Sequence, residues 1–176
     1  KHARTVDNAK LGRAYIDSTR PVTGAAPRFV DKAPSNYMIA PAILAALPNA
    51  RIVCVRRHPL DSCLSNYKQI FPFDDRYYDY TYDLASAARR FVQFDRVITH
   101  FAKRLPADRF MVLHYEDLVA NQEARTRELL AFCGLSWDER CLNFQDNAAS
   151  VSTPSARQVR SAMNASAVGR WAKYGA

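Results

Sequence analysis

The sequence has no long hydrophobic run. No stretch approaches the roughly 18 apolar residues that a membrane-spanning helix needs, and no segment near Lys1 has the apolar core of a signal peptide. These absences predict a soluble protein without a membrane span.

Glycine clusters and paired cysteines are also missing. The five glycines are dispersed, and none lies in a cluster between a strand and a helix of the kind that cradles phosphate. The four cysteines include no C-x-x-C pair, so we expect free thiols in the core, with neither a disulfide scaffold nor a metal site. This cysteine usage is typical of a reducing compartment and predicts a cytoplasmic protein.

Acidic residues are fewer than basic ones, 17 against 25, which gives a formal net charge of +8. Such a balance indicates an anionic partner, and it fits nucleic acid, an anionic membrane surface or a charged nucleotide equally well. The sequence has no helix-turn-helix or zinc-finger spacing and no alternation of basic and aromatic residues, so we do not expect nucleic acid as the partner.

The most informative stretch covers residues 50–71. Residues 52–55 are a short, largely β-branched apolar run, which predicts a buried strand of a parallel sheet. Pro59 then suits the first position of a helix, whose one face carries Asp61, Ser65 and Lys68. Anions bind at the carboxyl ends of such strands and at helix N-termini, so the two arginines that follow this strand, Arg56 and Arg57, predict a phosphate site there. The alternating geometry of a strand directs Arg56 to the opposite side.

Patterns elsewhere predict one α/β domain over residues 1–176. Before the central strand we expect a helix over residues 7–18 with Asp7 as its N-cap, a loop, a short strand at residues 29–30 and a helix over residues 37–47. After it we expect a surface loop over residues 71–83, a long helix from Asp83 to Pro106, a strand over residues 110–113, and a helix over residues 123–132 that ends at Gly134.

The segments around these residues resemble the sulfotransferases that use 3′-phosphoadenosine 5′-phosphosulfate (PAPS). Arg57 and Ser65 stand in the frame R-x-P-x-D-x-x-x-S, and further likeness follows in chain order in FVDKAPSNY, MVLHYEDLV, CGLSWDERCLNF, TPSARQVR and VGRWAKY. The sequence is most similar to sulfotransferase domains that follow tetratricopeptide repeats, and more distantly to tyrosylprotein sulfotransferases. The resemblance implies a P-loop nucleotide-binding type of fold, with a parallel sheet flanked by helices.

The resemblance also implies roles for individual residues. Arg57 and Ser65 would hold the 3′-phosphate of PAPS or of its product, adenosine 3′,5′-bisphosphate, and Tyr115 would contact the adenine. Lys32 would stabilise the transferred sulfuryl group, unless it is merely the ion-pair partner of Asp31.

In the carboxyl-terminal part of the chain, Ser155 would lie near the sulfuryl oxygens, with Thr153 as the neighbouring alternative. An arginine that relatives carry in the last motif is replaced by Ala165, so Arg160 or Arg170 would substitute for it. Glu116 and Asp117 are expected to cap the next helix, and His58 is interpreted as a turn residue.

The strand, P-R-S-G-T turn and helix that hold the 5′-phosphosulfate in relatives do not occur in the sequence. We therefore expect the chain to be the carboxyl-terminal portion of a longer protein whose upstream part supplies that turn and the general base. The reaction would be sulfuryl transfer to a hydroxyl or amine of a protein, carbohydrate, lipid or small molecule, without a metal. Two alternatives stay open, a P-loop kinase-like enzyme and a non-catalytic nucleotide-binding or interaction module.

Overall fold

A computed structural model of the chain describes residues 6–71, 76–148 and 158–175. The described residues form two parallel strands and six α-helices with short 3-10 helices between them. The strands are β1 (Ile52–Arg56) and β2 (Phe110–His114), and the helices are α1 (Asn8–Thr23), α2 (Ala40–Ala46), α3 (Pro59–Lys68), α4 (Leu84–Arg104), α5 (Tyr115–Ala120) and α6 (Gln122–Cys133). This is the predicted α/β class with a parallel sheet flanked by helices.

The two strands pair in parallel, with Ile52 opposite Phe110 and Arg56 opposite His114. A parallel pair needs a long connection, which α3 and α4 provide here. Because parallel strands end at the same edge of a sheet, the residues that follow Arg56 and His114 are brought side by side. That edge carries the candidate site.

Helix α4 covers the sheet with its apolar face, as its three-and-four spacing predicts. Ile98 on this helix is fully buried and packs with Ala40 and Phe110 in the core. Asp83 caps the helix, as predicted, by accepting a hydrogen bond of 2.8 Å from the backbone N–H of Ser86. The helix ends at Arg104, two residues before Pro106.

Arg109 joins α2 to the start of β1. Its guanidinium donates to the carbonyl oxygens of Leu44 at 2.9 Å, Leu47 at 2.7 Å and Ala50 at 3.2 Å. Carbonyls in the last turn of a helix have no partner within the helix, so this side chain satisfies groups that would otherwise depend on water. The contact fixes where the chain enters the central strand.

Helix α1 packs closely on α2. The contact is made at Gly12, which is buried, and a Cβ atom added there would overlap the carbonyl oxygen of Ala46. The absence of a side chain at this position therefore sets the distance between the two helices.

Three predicted elements differ in the structure. Helix α1 continues through Pro21 to Thr23, because a proline in the exposed last turn removes only one hydrogen bond, to a carbonyl that water can reach. The predicted strand at residues 29–30 is not formed, and Val30 there is 92% exposed. The predicted helix over residues 37–47 begins as a 3-10 helix (Pro34–Ile39) before α2 starts.

The predicted loop over residues 71–83 is only partly a loop. Residues 76–82 form a 3-10 helix (Arg76–Tyr82) that packs against α3 and α4 and buries Thr81.

All four cysteines are free. Among the residues the structure describes, no helix is long and apolar enough to cross a membrane.

Candidate active site

The register of the sheet sets the first contacts of the site. Continuing beyond Arg56 and His114, it brings Arg57 beside Tyr115 and His58 beside Glu116. The guanidinium carbon of Arg57 lies 5.3 Å from the centre of the Tyr115 ring. The backbone N–H of His58 donates to Oε1 of Glu116 at 2.8 Å.

Glu116 and Asp117 therefore do not cap the next helix, and that prediction is wrong. Neither α6, the helix expected there, nor α5 has a side-chain cap, and Asp117 instead forms an ion pair with Arg125 at 3.9 Å. The physical reason is the parallel register, which gives the carboxylate of Glu116 an N–H of the neighbouring crossover as its donor. Residue spacing within one segment does not contain this information.

The two adjacent arginines point to different sides. Arg56 forms an ion pair with Asp95 of α4, whereas Arg57 lies within 4.0 Å of Asp61 and donates to the carbonyl oxygen of Ala167. This is the alternation expected at the end of a strand. Arg57 is thus directed toward the carboxyl-terminal segment, by which we mean residues 165–174.

A cavity of about 500 Å³ lies between α3 and the carboxyl-terminal segment. Among the described residues, four basic side chains and only one carboxylate, that of Asp61, line it, so the cavity is suited to an anion. The hydroxyl groups of Ser65 and Ser166 lie in the same lining. The lining residues among those that the structure describes are Arg57, Asp61, Leu64, Ser65, Lys68, Gln69, Ser166, Arg170, Lys173 and Tyr174.

Helix α3 presents its polar side to this cavity. Pro59 occupies the first turn, where its missing N–H removes no helical hydrogen bond. Asp61, Ser65 and Lys68 follow at helical spacing and line the cavity together, as their shared face predicts. Near the rim, Lys68 Nζ lies 3.4 Å from the hydroxyl of Tyr174.

The carboxyl-terminal segment is held against α3 by Asp61. This carboxylate, only 1% exposed, accepts hydrogen bonds from the backbone N–H groups of Gly169 at 2.7 Å and Trp171 at 3.0 Å. The Trp171 ring also stacks on His58, with ring centroids 5.4 Å apart and planes at 5°. The segment thereby forms one wall of the cavity.

Two buried polar atoms beside the cavity have no hydrogen-bond partner among the described residues, Nε of Arg57 and Nδ1 of His58. A buried donor or acceptor without a partner costs about 1–3 kcal/mol, and such atoms are rare in native structures. Their presence beside a cavity lined by basic side chains is consistent with a region that receives a polar ligand. No group of three or more His, Cys, Asp or Glu that could hold a metal ion occurs among the described residues.

Lys32 lies apart from this cavity. It is exposed in the connection between α1 and the 3-10 helix Pro34–Ile39, and it is not among the cavity-lining residues. Its neighbour Asp31 accepts a hydrogen bond of 2.6 Å from the hydroxyl of Tyr15, and this bond raises the pKa of Tyr15 to about 12. Within the described ranges Asp31 forms no ion pair with Lys32, and its partner is the hydroxyl of Tyr15 instead.

The other predicted ligands are distributed unevenly. Arg57, Ser65 and Arg170 lie in one cavity lining, and Tyr115 reaches the site through its contact with Arg57. Arg160 donates to the carbonyl oxygen of Asn147 and does not line the cavity. Thr153 and Ser155 lie outside the described residues.

Sequence reasoning gives no role to three residues that the structure places at the site. Lys68 and Lys173 add charge to the cavity, and Asp61 holds the carboxyl-terminal segment. Asp61 and Lys68 could have been found from the sequence, because their helical spacing places them on the same face as Ser65. Lys173 follows the VGRW motif closely, but no spacing rule connects it to α3.

Comparisons with known proteins give a family, a relative and a similar solved structure. A family model described as "Sulfotransferase family" matches residues 1–139. An uncharacterized protein of Aquifex aeolicus (strain VF5) is 32% identical over 160 residues, which make up 91% of this chain and 21% of that protein, so the chain spans about a fifth of this relative's length.

The solved structure of the sulfotransferase domain from the curacin biosynthetic pathway matches with a TM-score of 0.57 and 18% identity, over 88% of this chain and 54% of that one. At this identity the likeness shows the fold alone, and it agrees with the predicted P-loop type. The family model covers most of the chain, and the cavity carries the arginine and serine of the R-x-P-x-D-x-x-x-S frame. The chain belongs to the sulfotransferase family.

Proposed function

We propose that this chain holds the 3′-phosphate of PAPS in an enzyme that transfers the sulfuryl group to a hydroxyl or amine acceptor. The observation that carries the proposal is the convergence of Arg57, Ser65 and Arg170 on one basic cavity beyond the carboxyl end of β1. Arginine matches phosphate oxygens with paired N–H groups, and a serine hydroxyl can donate one further hydrogen bond.

The charge of the cavity supports a phosphate of high charge. In the described lining, Lys68 and Lys173 add two cations to the two guanidinium groups, against the one carboxylate of Asp61. A monoester such as the 3′-phosphate carries between one and two negative charges near pH 7, and it is therefore attracted more strongly than the hydroxyl it replaces. Nucleotides with a 3′-phosphate should be preferred over those without one.

In the proposed transfer, the S–O bond to the 5′-phosphate breaks as a bond forms between sulfur and the acceptor oxygen or nitrogen. The proton of the acceptor passes to a general base, and adenosine 3′,5′-bisphosphate leaves with the electrons of the broken bond. Lys32 would stabilise the charge that develops on the leaving oxygen, and Ser155 or Thr153 would contact the sulfuryl oxygens. The greater length of the A. aeolicus relative allows for further domains, and tetratricopeptide repeats are the ones we propose.

A nucleotide-binding module without transfer activity is the second candidate. It is favoured by the position of Lys32 outside the cavity lining. This candidate predicts the same preference for a 3′-phosphate but no transfer from PAPS in the full-length protein. Single-turnover transfer therefore separates the two.

Calorimetry with adenosine 3′,5′-bisphosphate and with AMP tests the proposal. We expect tighter binding of the bisphosphate, and we expect Arg57→Ala to weaken it by about 1.5–3 kcal/mol, the range for a hydrogen bond to a charged group. AMP binding should hardly change. Arg56→Ala is the matched control, because this neighbouring arginine contacts Asp95 on the other side of the strand.

Equal affinity for the two nucleotides would contradict the proposal. An equal loss in Arg56→Ala and Arg57→Ala would assign the effect to net charge rather than to a phosphate contact. The two variants change the net charge by the same amount, so only the direction of the side chain distinguishes them.

A further inference from the structure

Within the described part of the chain, Asp61 is the one carboxylate that lines a cavity whose other charged side chains attract anions. It is 1% exposed, and its two oxygens accept hydrogen bonds from Gly169 N at 2.7 Å and Trp171 N at 3.0 Å. The nearest cation on a described residue is Arg57, at 4.0 Å. Each oxygen thus has a separate backbone donor, and both donors belong to the carboxyl-terminal segment.

The position of this charge is unfavourable on electrostatic grounds alone. Removing a carboxylate from water is costly unless it is paired and hydrogen-bonded, and a negative charge in a phosphate cavity repels the ligand. Two backbone N–H groups and one guanidinium offset the cost of burial, but they do not remove the repulsion. A carboxylate at this place needs a role that outweighs it.

The segment that Asp61 holds carries the second guanidinium of the cavity. Gly169 and Trp171, the two donors, flank Arg170 in the chain, and Arg170 lines the cavity. Gly169 has a left-handed backbone with φ of 69°, which turns the chain at this point. The Nε of Arg170 donates to the carbonyl oxygen of Ser166 at 2.6 Å, which further restricts the side chain.

We propose that Asp61 is a positioning residue that fixes residues 169–171 so that Arg170 meets the same phosphate as Arg57. The inference rests on the proposed function, and it adds a residue that does not itself touch the ligand. Asp61 acts through the backbone on either side of Arg170. A guanidinium held in place loses less conformational freedom on binding than a mobile one, so positioning adds to affinity.

The positioning role of Asp61 and its negative charge predict opposite changes in phosphate affinity when Asp61 is replaced. If Asp61 contributed only its charge, its removal would raise the affinity for a phosphate severalfold. If Asp61 positions Arg170, its removal lowers the affinity, although the cavity becomes more positive. The direction of the change therefore decides between the two.

The experiment is calorimetry with adenosine 3′,5′-bisphosphate on the chain carrying Asp61→Ala, Asp61→Asn, Arg170→Ala and the double change Asp61→Ala with Arg170→Ala. We expect Arg170→Ala to weaken binding by on the order of tenfold or more, as for one lost hydrogen bond to a charged group. Asp61→Ala should approach that loss, and Asp61→Asn should lose less because it keeps one acceptor oxygen. The double variant should be no weaker than Arg170→Ala alone, because the two residues act in series.

Asp83→Ala is the matched control, since Asp83 also accepts a backbone N–H at a helix start but lies outside the cavity lining. It should reduce stability without changing bisphosphate affinity. Higher affinity in Asp61→Asn, or additive losses in the double variant, would overturn the proposal. Asp61→Asn preserves size and carries the sign test if Asp61→Ala does not fold. Absence of a bisphosphate preference in the unchanged chain would instead overturn the proposed function.

Discussion

Replacing Arg109 with methionine tests how the chain is held where α2 leads into β1. Methionine keeps an unbranched apolar stem and removes the guanidinium, so the change isolates the hydrogen bonds from the packing. Those bonds go to Leu44, Leu47 and Ala50, which span the end of α2 and the turn into β1. Their loss leaves three carbonyl oxygens to be hydrated at a place where Arg109 is itself half-buried.

The size of the effect follows from the geometry. The bonds of 2.7 Å and 2.9 Å are well formed, whereas the third, at 3.2 Å, is at the long end of the range. Counting about 1.5 kcal/mol for each of the two shorter bonds, we expect a loss of about 3 kcal/mol in the free energy of unfolding. With a denaturant slope of about 2 kcal/mol/M, the urea midpoint should fall by about 1.5 M.

Urea unfolding followed by circular dichroism measures this change. Arg13→Met is the control, because Arg13 is exposed on α1, and a surface substitution should change stability by no more than about 0.5 kcal/mol. Arg109→Lys should fall between the two, since one ammonium group cannot reach three carbonyls that a planar guanidinium bridges. A midpoint for Arg109→Met equal to that of the control would refute the role assigned to this side chain.

Two further changes address catalysis and packing. Lys32→Ala in the full-length protein should lower the rate of single-turnover sulfuryl transfer by on the order of 10²–10³-fold, as for one lost preorganised donor. Its affinity for the bisphosphate should stay unchanged, because that product lacks the sulfuryl group. An unchanged transfer rate would assign the catalytic cation to another residue. Gly12→Ala should lower the melting temperature relative to Arg13→Ala. The overlap of the new Cβ atom with the Ala46 carbonyl oxygen costs about 1–3 kcal/mol, which exceeds the gain of about 1 kcal/mol in helix propensity. A higher melting temperature would show that α1 and α2 can separate freely.

Elements with strong local signals could be predicted from the sequence. The β-branched run before Arg57, the proline at the first position of α3, and Asp83 before the apolar stripe of α4 each carry their own physical cause within a few residues. Their bounds in the structure agree closely with the predicted ones. The parallel pairing of the two strands was also predictable, because each is followed by a helix.

Features that depend on distant residues could not be predicted in this way. Val30 has strand-forming character, but no described strand pairs with it, and it stays exposed. The donor for Glu116 comes from another crossover, and the donors for Asp61 lie more than 100 positions along the chain. The motif frame predicts which residues bind, whereas only the folded chain shows that Lys173 lines the same cavity and that Lys32 is not among its described lining residues.

The hydrogen bonds of Asp61 also bear on the order in which the molecule is completed. They join residues 108 and 110 positions apart, and closing a chain segment of that length costs about 4 kcal/mol of entropy. Local helices such as α4 form without this cost, so we expect the anion cavity to form late in folding. A bound nucleotide at one hundred times its dissociation constant would add about 2.7 kcal/mol to the completed state. A bound nucleotide would therefore stabilise mainly the carboxyl-terminal segment, which we expect to be in place only when the cavity has formed.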